Sequence, residues 1–321
     1  MTPAIDKEKM KQFFSTVINK DKLTPAEQLI LTIPVEQRIA IAKNKNTPPE
    51  ILCMLIEDWC TTVIREVARN PNTPSEALLQ LATNNDHRIR RAVAHHHNTP
   101  PETLKKLAND VFADVHEEVA DNPNTPPEAL KKLADDTSVY VRRAVAYNRN
   151  TSPEALKKLA NDSSMDVCMA VAYNPNTLPE TLKKLASSGS KNVREAVASN
   201  PNTPPETLKK LADDEDMCVR WVVAFNPHTP PETLKKLAND SSFKVREAVA
   251  EKLNTPPETL KKLANDNSVN VRKAVARNTY TPPEALKKLA NDSSANVRKA
   301  VASNPNTPPD IREKLRAELN L

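Results

Sequence analysis

A threonine-proline element recurs every 26 residues along this chain and constrains the fold more than any other feature. It reads Thr, then Pro, Ser or Leu, then Pro or Ser, then Glu or Asp. Its threonines are Thr47, Thr73, Thr99, Thr125, Thr151, Thr177, Thr203, Thr229, Thr255, Thr281 and Thr307. No insertion or deletion interrupts the series, so each unit must dock on its neighbours in the same way, as in a repeat protein.

The unit over residues 229–254 is typical, and its first half predicts a helix. Thr229 and Glu232 match a capping box, in which the Thr hydroxyl accepts the Glu amide proton and the Glu carboxylate accepts the Thr amide proton. Pro230 and Pro231 suit the first helical turn, where a missing amide proton costs little. The leucines that follow recur at helical spacing, and the lysines between them are predicted to point away from the core.

The second half of the unit predicts a second helix. Residues 240–242 are Asp-Ser-Ser and offer oxygens that can cap it. Val245, Ala248 and Val249 form its apolar stripe. The helix should end at the Asn-Pro or Asn-x-Asn sequence that closes most units, because the residue before a proline avoids the α region. Each unit is therefore predicted to be helix, turn, helix, turn.

Composition agrees with a stack of such units. The 321 residues include one Gly and 28 Pro, so the many turns must form without positive φ angles. Helices of about ten residues do not persist alone in water and must pack on neighbours. We therefore predict an all-α fold, a right-handed α-solenoid (superhelix) of tandem 26-residue helix-turn-helix repeats. Close packing at the alanines would tighten some helices to 3₁₀ geometry.

The ends of a stack expose apolar faces and need covers. We predict an N-terminal cap over residues 1–46, made of a helix within 1–23 and a degenerate repeat at 24–46. Ten repeats then occupy 47–306. A closing helix at 307–321 presents a polar outer face, as a cap should.

The repeat sequence resembles a known family. Residues 200–224 follow, with small departures, the string Asn-Pro-Asn-Thr-Pro-Pro-Glu-x-Leu-Lys-Lys-Leu-Ala-x-Asp and then Val-Arg-x-Ala-Val-Ala. Over residues 24–321 this resembles the leucine-rich repeat variant family, α-solenoids related in style to HEAT repeats, although family units are usually slightly shorter. Some relatives carry a Cys-rich iron–sulfur segment before the repeats, but residues 1–46 contain no Cys. The resemblance implies an interaction scaffold without a cofactor and names no substrate.

Charge and cysteine content exclude little. Lys and Arg total 46 against 41 Asp and Glu, a formal charge of +5. We find no secretory signal at the start and no apolar stretch near the roughly 18 residues of a membrane span. Cys53, Cys60, Cys168 and Cys218 fit neither a disulfide framework nor a paired metal motif. These features favour a reduced, cytoplasmic and monomeric protein with no membrane contact and no metal.

A binding site should lie where the repeats differ on an exposed face. Opposite the apolar stripe of the second helix lie positions 16, 19 and 23 of each repeat, and these vary most. Five of the chain's 11 aromatic residues occupy them, all in repeats 4 to 7. The predicted partner-binding residues are Tyr140, Arg143, Tyr147, Met169, Tyr173, Trp221 and Phe225, and the predicted flanking charges are Arg91, Asp114, Glu117, Asp121, Glu247, Glu251, Lys273 and Arg277.

Three functions are consistent with this stripe. Tyr, Trp and Arg dominate many protein interfaces, and with repeats about 10 Å apart the patch would run about 30 to 40 Å, so a protein or peptide is the first hypothesis. Nucleic acid is the second, with bases stacked on aromatics, but stripe charge sums to only +2 and falls to −3 in repeat 3. Catalysis is the third, and no nucleophile-base pair or phosphate loop supports it. Against all three, the aromatics could simply pack on one another.

Other recurring residues favour structural roles. The Lys pairs of the first helices, four residues after a Glu, are typical of a solvated helix face. An Arg at position 18, six residues after an Asp, favours a ladder across turns, which His116 and Cys168 would break. His95, His96 and His97 are adjacent on a helix end and should not converge on one metal ion.

Overall fold

The computed structural model describes residues 32–320, so the predicted helix within 1–23 and the start of the degenerate repeat lie outside the described residues. Within that range the chain forms twenty-two α-helices and no strand. Contacts divide it into two compact units, Met1–Ala155 and Leu156–Leu321. Each unit is a stack of helix-turn-helix repeats, as predicted. The division into cap, ten repeats and closing helix stays a prediction.

Every repeat contains a short first helix and a longer second helix. The first helices are Pro49–Leu55, Ser75–Leu81, Pro101–Leu107, Pro127–Leu133, Pro153–Leu159, Pro179–Leu185, Pro205–Leu211, Pro231–Leu237, Pro257–Leu263 and Pro283–Leu289. The second helices are Thr61–Arg69, His87–His95, Ala113–Asp121, Val139–Tyr147, Met165–Tyr173, Lys191–Ser199, Met217–Phe225, Phe243–Glu251, Val269–Arg277 and Ala295–Ser303. Val35–Lys43 precedes the first repeat and Pro309–Leu319 follows the last.

The 3₁₀ prediction is wrong for the described residues, where all of these helices are α-helical. Seven residues still make two α-turns, and the backbone bond from Ala238 N to Leu234 O, 2.9 Å, continues the i to i−4 pattern past the last helical residue. Small alanines therefore provide close approach without a tighter helix.

The core lies between the helices of each repeat and those of its neighbours. Leu234, Leu237, Val245 and Val249 are buried, as are their equivalents in the other repeats. Within each unit, second helices pack on the second helices of adjacent repeats more extensively than first helices pack on first helices. The second helices therefore form the continuous spine of each stack.

The capping-box prediction is wrong. The first helix of repeat 8 begins at Pro231, its N-cap is Pro230, and no side chain caps it. Thr229 is buried, and its hydroxyl donates instead to the carbonyl of Val223, in the helix before. All eleven repeat threonines make this bond to the carbonyl six residues earlier. The threonine therefore closes the end of a second helix and does not start a first one.

An asparagine ladder joins repeat to repeat and was missed in the sequence. The Asn226 amide nitrogen donates to the carbonyls of Ala198 and Asn200 in the preceding repeat, at 2.7 and 3.0 Å, and its oxygen accepts from the amide of His228. The same bonds recur at Asn70, Asn122, Asn148, Asn200, Asn278 and Asn304. The asparagine at the helix end is therefore a structural residue beyond its effect as the residue before proline.

An arginine–aspartate ladder runs along the turns between helices. Arg220 donates to the carbonyl of Asp214, six residues earlier, and pairs at 2.6 Å with the carboxylate of Asp240, twenty residues later in the next repeat. Equivalent pairs are Arg38–Asp58, Arg90–Asp110, Arg194–Asp214, Arg246–Asp266 and Arg272–Asp292. His116 does not break this ladder, because its Nδ1 lies 2.6 Å from the Asp136 carboxylate. The ladder is structural, as the sequence indicated, but the carboxylate comes from the following repeat.

Candidate functional site

The second helix of repeat 7 shows how the stripe is positioned. Val219 and Val223 are buried in the core, whereas Trp221 and Phe225 are 41% and 42% exposed. A helix turns by about 100° per residue, so side chains two residues apart lie on opposite faces. Trp221 and Phe225, one turn apart, contact each other edge to face, with ring centroids 4.7 Å apart. The two rings form one exposed aromatic surface.

In the first unit, Tyr140 and Tyr147 lie at the surface, 57% and 45% exposed. Arg143 is half-buried between them in sequence, and its guanidinium carbon lies 5.4 Å from the centroid of the Tyr140 ring. This distance allows a cation–π contact. The three predicted residues therefore share one exposed helix face in repeat 4.

Two of the predicted charges of repeats 2 and 3, Arg91 and Asp114, lie close to charged or titratable residues outside the predicted set. Arg91 pairs with Glu118 at 2.7 Å, and His95 Nδ1 lies 2.8 Å from the same carboxylate. Burial, together with the charges of Glu117 and Glu118, raises the pKa of Asp121. Glu118 was not in the predicted stripe because it lies at position 20, which the apolar residue Ala248 occupies in repeat 8. Asp114 lies 3.6 Å from His87.

In the second unit, Tyr173 is 45% exposed and Met169 is half-buried in the second helix of repeat 5. The stripe then reaches Trp221 and Phe225, which line a groove of about 550 Å³ together with the second helix of repeat 8. The other lining residues are Met217, Cys218, Phe243, Lys244, Glu247, Ala248, Glu251 and Asn270. The structure thus brings two predicted aromatics and two predicted acids to one groove.

Phe243 is a groove residue that sequence reasoning missed. It is the first residue of its helix, at position 15, and is 41% exposed. Position 15 lies outside the predicted stripe, yet the equivalent residues Met165, Met217 and Val269 are also large and apolar. An apolar residue at the exposed start of a polar helix was the available signal.

Glu247 and Glu251 form the acidic side of the groove. Burial, and then the neighbouring charge of Glu251, raises the pKa of Glu247, while Lys273 and Lys244 oppose that shift. Neither glutamate has an ion-pair partner within 4.0 Å among residues 32–320. The predicted Lys273 is half-buried and Arg277 is exposed on the next second helix.

A second cavity, about 520 Å³, lies away from the stripe at the turns of repeats 2 and 3. Its lining includes the exposed side chains of Leu79, Val111 and Phe112, and the His87 ring stacks on Phe112 at 4.3 Å between centroids. No motif marked this surface in the sequence.

The Lys pairs and histidines also have defined places. The Lys pairs lie on an exposed helix face, as predicted, and the second Lys of several pairs reaches the preceding repeat, as Lys210 Nζ does at 2.8 Å from Ser187 Oγ. Buried His96 occupies the position of a ladder asparagine and contacts the carbonyl of Asn70. The described residues contain no group of three or more His, Cys, Asp or Glu that could hold a metal ion.

No helix in residues 32–320 has the length and apolar character needed to cross a membrane. The four cysteines, which all lie in this part of the chain, are free thiols.

Comparisons with known proteins identify the repeats. A family model described as leucine rich repeat variant matches residues 87–112, 141–164, 192–216, 269–294 and 295–317. These repeats belong to the leucine-rich repeat variant family. A solved leucine-rich repeat variant described as having a novel repetitive structural motif is 26% identical, with a TM-score of 0.51, over 68% of this chain and 94% of its own.

Other solved α-solenoids are less similar to this chain. Importin beta in an ammonium sulfate condition is 11% identical, with a TM-score of 0.41, over 93% of this chain and 54% of its own. Yeast importin-beta is 13% identical, with a TM-score of 0.40, over 96% of this chain and 55% of its own. The chain thus spans about half the length of either importin. No curated protein matches the sequence.

Proposed function

We propose that this leucine-rich repeat variant solenoid is a non-enzymatic scaffold that binds a protein or peptide through the second-helix stripe. The stripe presents Tyr140, Arg143 and Tyr147 in the first unit, and Met169, Tyr173, Trp221 and Phe225 in the second. One observation carries the proposal: aromatic side chains are 41% to 57% exposed on helices whose other faces are buried. Exposed Tyr and Trp are costly to leave in water and are the residues that most often anchor interfaces.

The residues that the repeats share support this assignment, because their polar groups already bind other groups within the stack. The threonine hydroxyl, the asparagine amide and the arginine guanidinium each bind backbone or side-chain groups inside the stack. Side chains that hold repeats together cannot also distinguish one partner from another. Recognition therefore falls to the positions that differ, and the stripe collects five exposed aromatic residues on the second helices of repeats 4, 5 and 7.

Stripe charge makes nucleic acid the weaker alternative. A phosphate-binding surface is positive along its length, whereas repeat 3 places Asp114, Glu117 and Asp121 on the stripe and repeat 8 places Glu247 and Glu251. These carboxylates would repel a phosphate backbone.

Affinity capture from a lysate of the source organism tests the proposal. The wild-type chain is compared with Tyr173→Ala/Trp221→Ala and with a matched control, Tyr280→Ala/Trp59→Ala, whose aromatics are 61% and 73% exposed off the stripe. We expect the wild type and the control to retain the same proteins and the stripe variant to lose them. Recovery of the same proteins at equal strength by all three contradicts the proposal, and capture that nuclease abolishes favours nucleic acid.

A further inference from the structure

The groove between the second helices of repeats 7 and 8 has an aromatic side and an acidic side. Trp221 and Phe225 form the first with their edge-to-face rings, and Phe243 extends it from the neighbouring helix. Glu247 and Glu251 form the second, one turn apart on that same helix. An apolar peptide alone would bury these carboxylates without a partner, which is costly.

The charges around the groove favour a cation. Lys244 also lines it, so the titratable side chains of the lining carry a net charge of −1 once Cys218 is taken as a neutral thiol. Lys273, on the next helix, lies close enough to Glu247 to influence it but forms no ion pair with it within 4.0 Å among the described residues. An incoming positive charge would therefore find two carboxylates that have no ion-pair partner within 4.0 Å in the part of the chain that the structure describes.

Aromatic rings beside carboxylates suit one kind of side chain. The aliphatic stem of Arg or Lys packs on apolar surface while its charged end reaches a carboxylate, and a guanidinium also stacks on the face of a Trp ring. We propose that the groove of repeats 7 and 8 binds a basic polypeptide segment, with an Arg or Lys of the partner lying over Trp221 and Phe225 and its charge facing Glu247 and Glu251. This inference rests on the proposed function and adds the chemistry of the partner.

Selection from a random dodecapeptide library displayed on phage, with the full chain as bait, tests the inference. We expect the selected peptides to be enriched in Arg and Lys. A synthetic selected peptide, measured by fluorescence anisotropy, should bind Glu247→Gln/Glu251→Gln about tenfold more weakly than the wild type. The control Glu206→Gln/Glu232→Gln makes the same charge change on the exposed first helices of the same repeats and should bind as the wild type does.

A cycle between peptide and protein separates a direct contact from a general charge effect. Replacing the basic residue of the peptide by Gln should weaken binding to the wild type about tenfold but should leave binding to Glu247→Gln/Glu251→Gln nearly unchanged. Thermal unfolding of each variant, followed by circular dichroism, confirms that the fold is kept.

The failures of the two proposals are distinguishable. Selected peptides that lose binding in Trp221→Ala but carry no excess of Arg or Lys, or that bind the Gln variant at full strength, overturn the inference and leave the stripe as a binding surface. Selections whose peptides are all insensitive to Trp221→Ala and Tyr173→Ala, or that yield no binder, count against the proposed function itself.

Discussion

Single residues in this repeat make hydrogen bonds that complete the ends of its helices. The carbonyl of Val223 is at the end of a second helix, where backbone acceptors lack helical partners. Thr229 supplies a donor to it from the chain's next turn, and it is 2% exposed. The backbone amide of Asn226 also donates to this carbonyl, at 3.2 Å, so the hydroxyl is its second donor, and such a bond stabilises the fold by about 0.5 to 1.5 kcal/mol. The invariance of this threonine across the repeats thus follows from one bond.

Substitution of Thr229 distinguishes this bond from the capping box. Thr229→Val keeps the shape and removes the hydroxyl, and we expect it to lower the free energy of unfolding by about 1 kcal/mol, the net value of one hydrogen bond. Glu232→Ala, which a capping box would make costly, should change it by less than about 0.5 kcal/mol because Glu232 is exposed. Urea unfolding checks both, and the reverse ranking of the two variants would refute the assignment.

His96 makes one contact between neighbouring repeats sensitive to pH. It replaces the ladder asparagine: its Nε2 lies 2.7 Å from the carbonyl of Asn70, and its Nδ1 accepts from the amide of Asn98. Only the neutral ring with its proton on Nε2 makes both bonds, because a protonated Nδ1 cannot accept from the Asn98 amide. Burial lowers the pKa of His96 below that of an unfolded histidine, about 6.5, and the charges of His97 and His95 add to the shift.

The sign of the pH effect follows from that direction. As pH falls below about 6.5, the unfolded chain binds a proton that folded His96 does not, so the free energy of unfolding falls until the pH passes the folded pKa. His96→Asn keeps the donor and acceptor but cannot titrate. We expect the variant to lose less stability than the wild type between pH 7.5 and 5.5, measured by urea unfolding, and equal losses would show that His96 is not the source.

At the scale of helices and turns, the arginine–aspartate ladder ties each turn to the next. The sequence also records this pairing, but only when residues of neighbouring repeats are compared. Where Ile64 and Cys168 replace the arginine, Asn84 and Ser188 replace the aspartate twenty residues later, whereas His116 keeps Asp136. Loss of both partners together is expected when one alone would leave a buried charge.

A double-mutant cycle tests that coupling. Arg220→Met leaves Asp240, whose side chain is 6% exposed, without its cation, and we expect a loss of about 3 kcal/mol in the free energy of unfolding. Adding Asp240→Ser should recover at least about 1 kcal/mol, as the natural Cys168 and Ser188 combination suggests. Losses that simply add would contradict the assigned pairing.

The sequence predicted those features of the helices and turns that depend on residues within a single repeat. Helical spacing of Leu, Val and Ala predicted two helices per repeat and their buried faces. The capping box failed because Thr-Pro-Pro-Glu satisfies that pattern equally well while the prolines hold the chain extended at Pro230, with ψ of 149°, and turn the Thr side chain back to the previous helix. The asparagine and lysine contacts join different repeats, so spacing within a repeat could not reveal them.

At the scale of the whole molecule, the candidate site was predictable only by helix face. The sequence predicted that Trp221, Phe225 and the two glutamates share one stripe, because the angular position of a side chain around a helix depends only on residue number. The contribution of Phe243 to the groove depends on the offset between adjacent second helices, which packing sets and sequence does not state. Binding surfaces in repeat proteins arise in this way from neighbouring repeats together.

The central claim is that shared residues hold the stack while differing stripe residues bind. The most direct measurement uses Trp221→Glu/Phe225→Ser, which gives repeat 7 the residues that repeat 6 has at these positions, Glu195 and Ser199. Its affinity for a captured partner is measured by calorimetry and its unfolding midpoint by circular dichroism. We predict an unchanged midpoint within about 4 °C and loss of binding. Full binding, or a collapsed midpoint showing that the two aromatics belong to the core, would contradict the account.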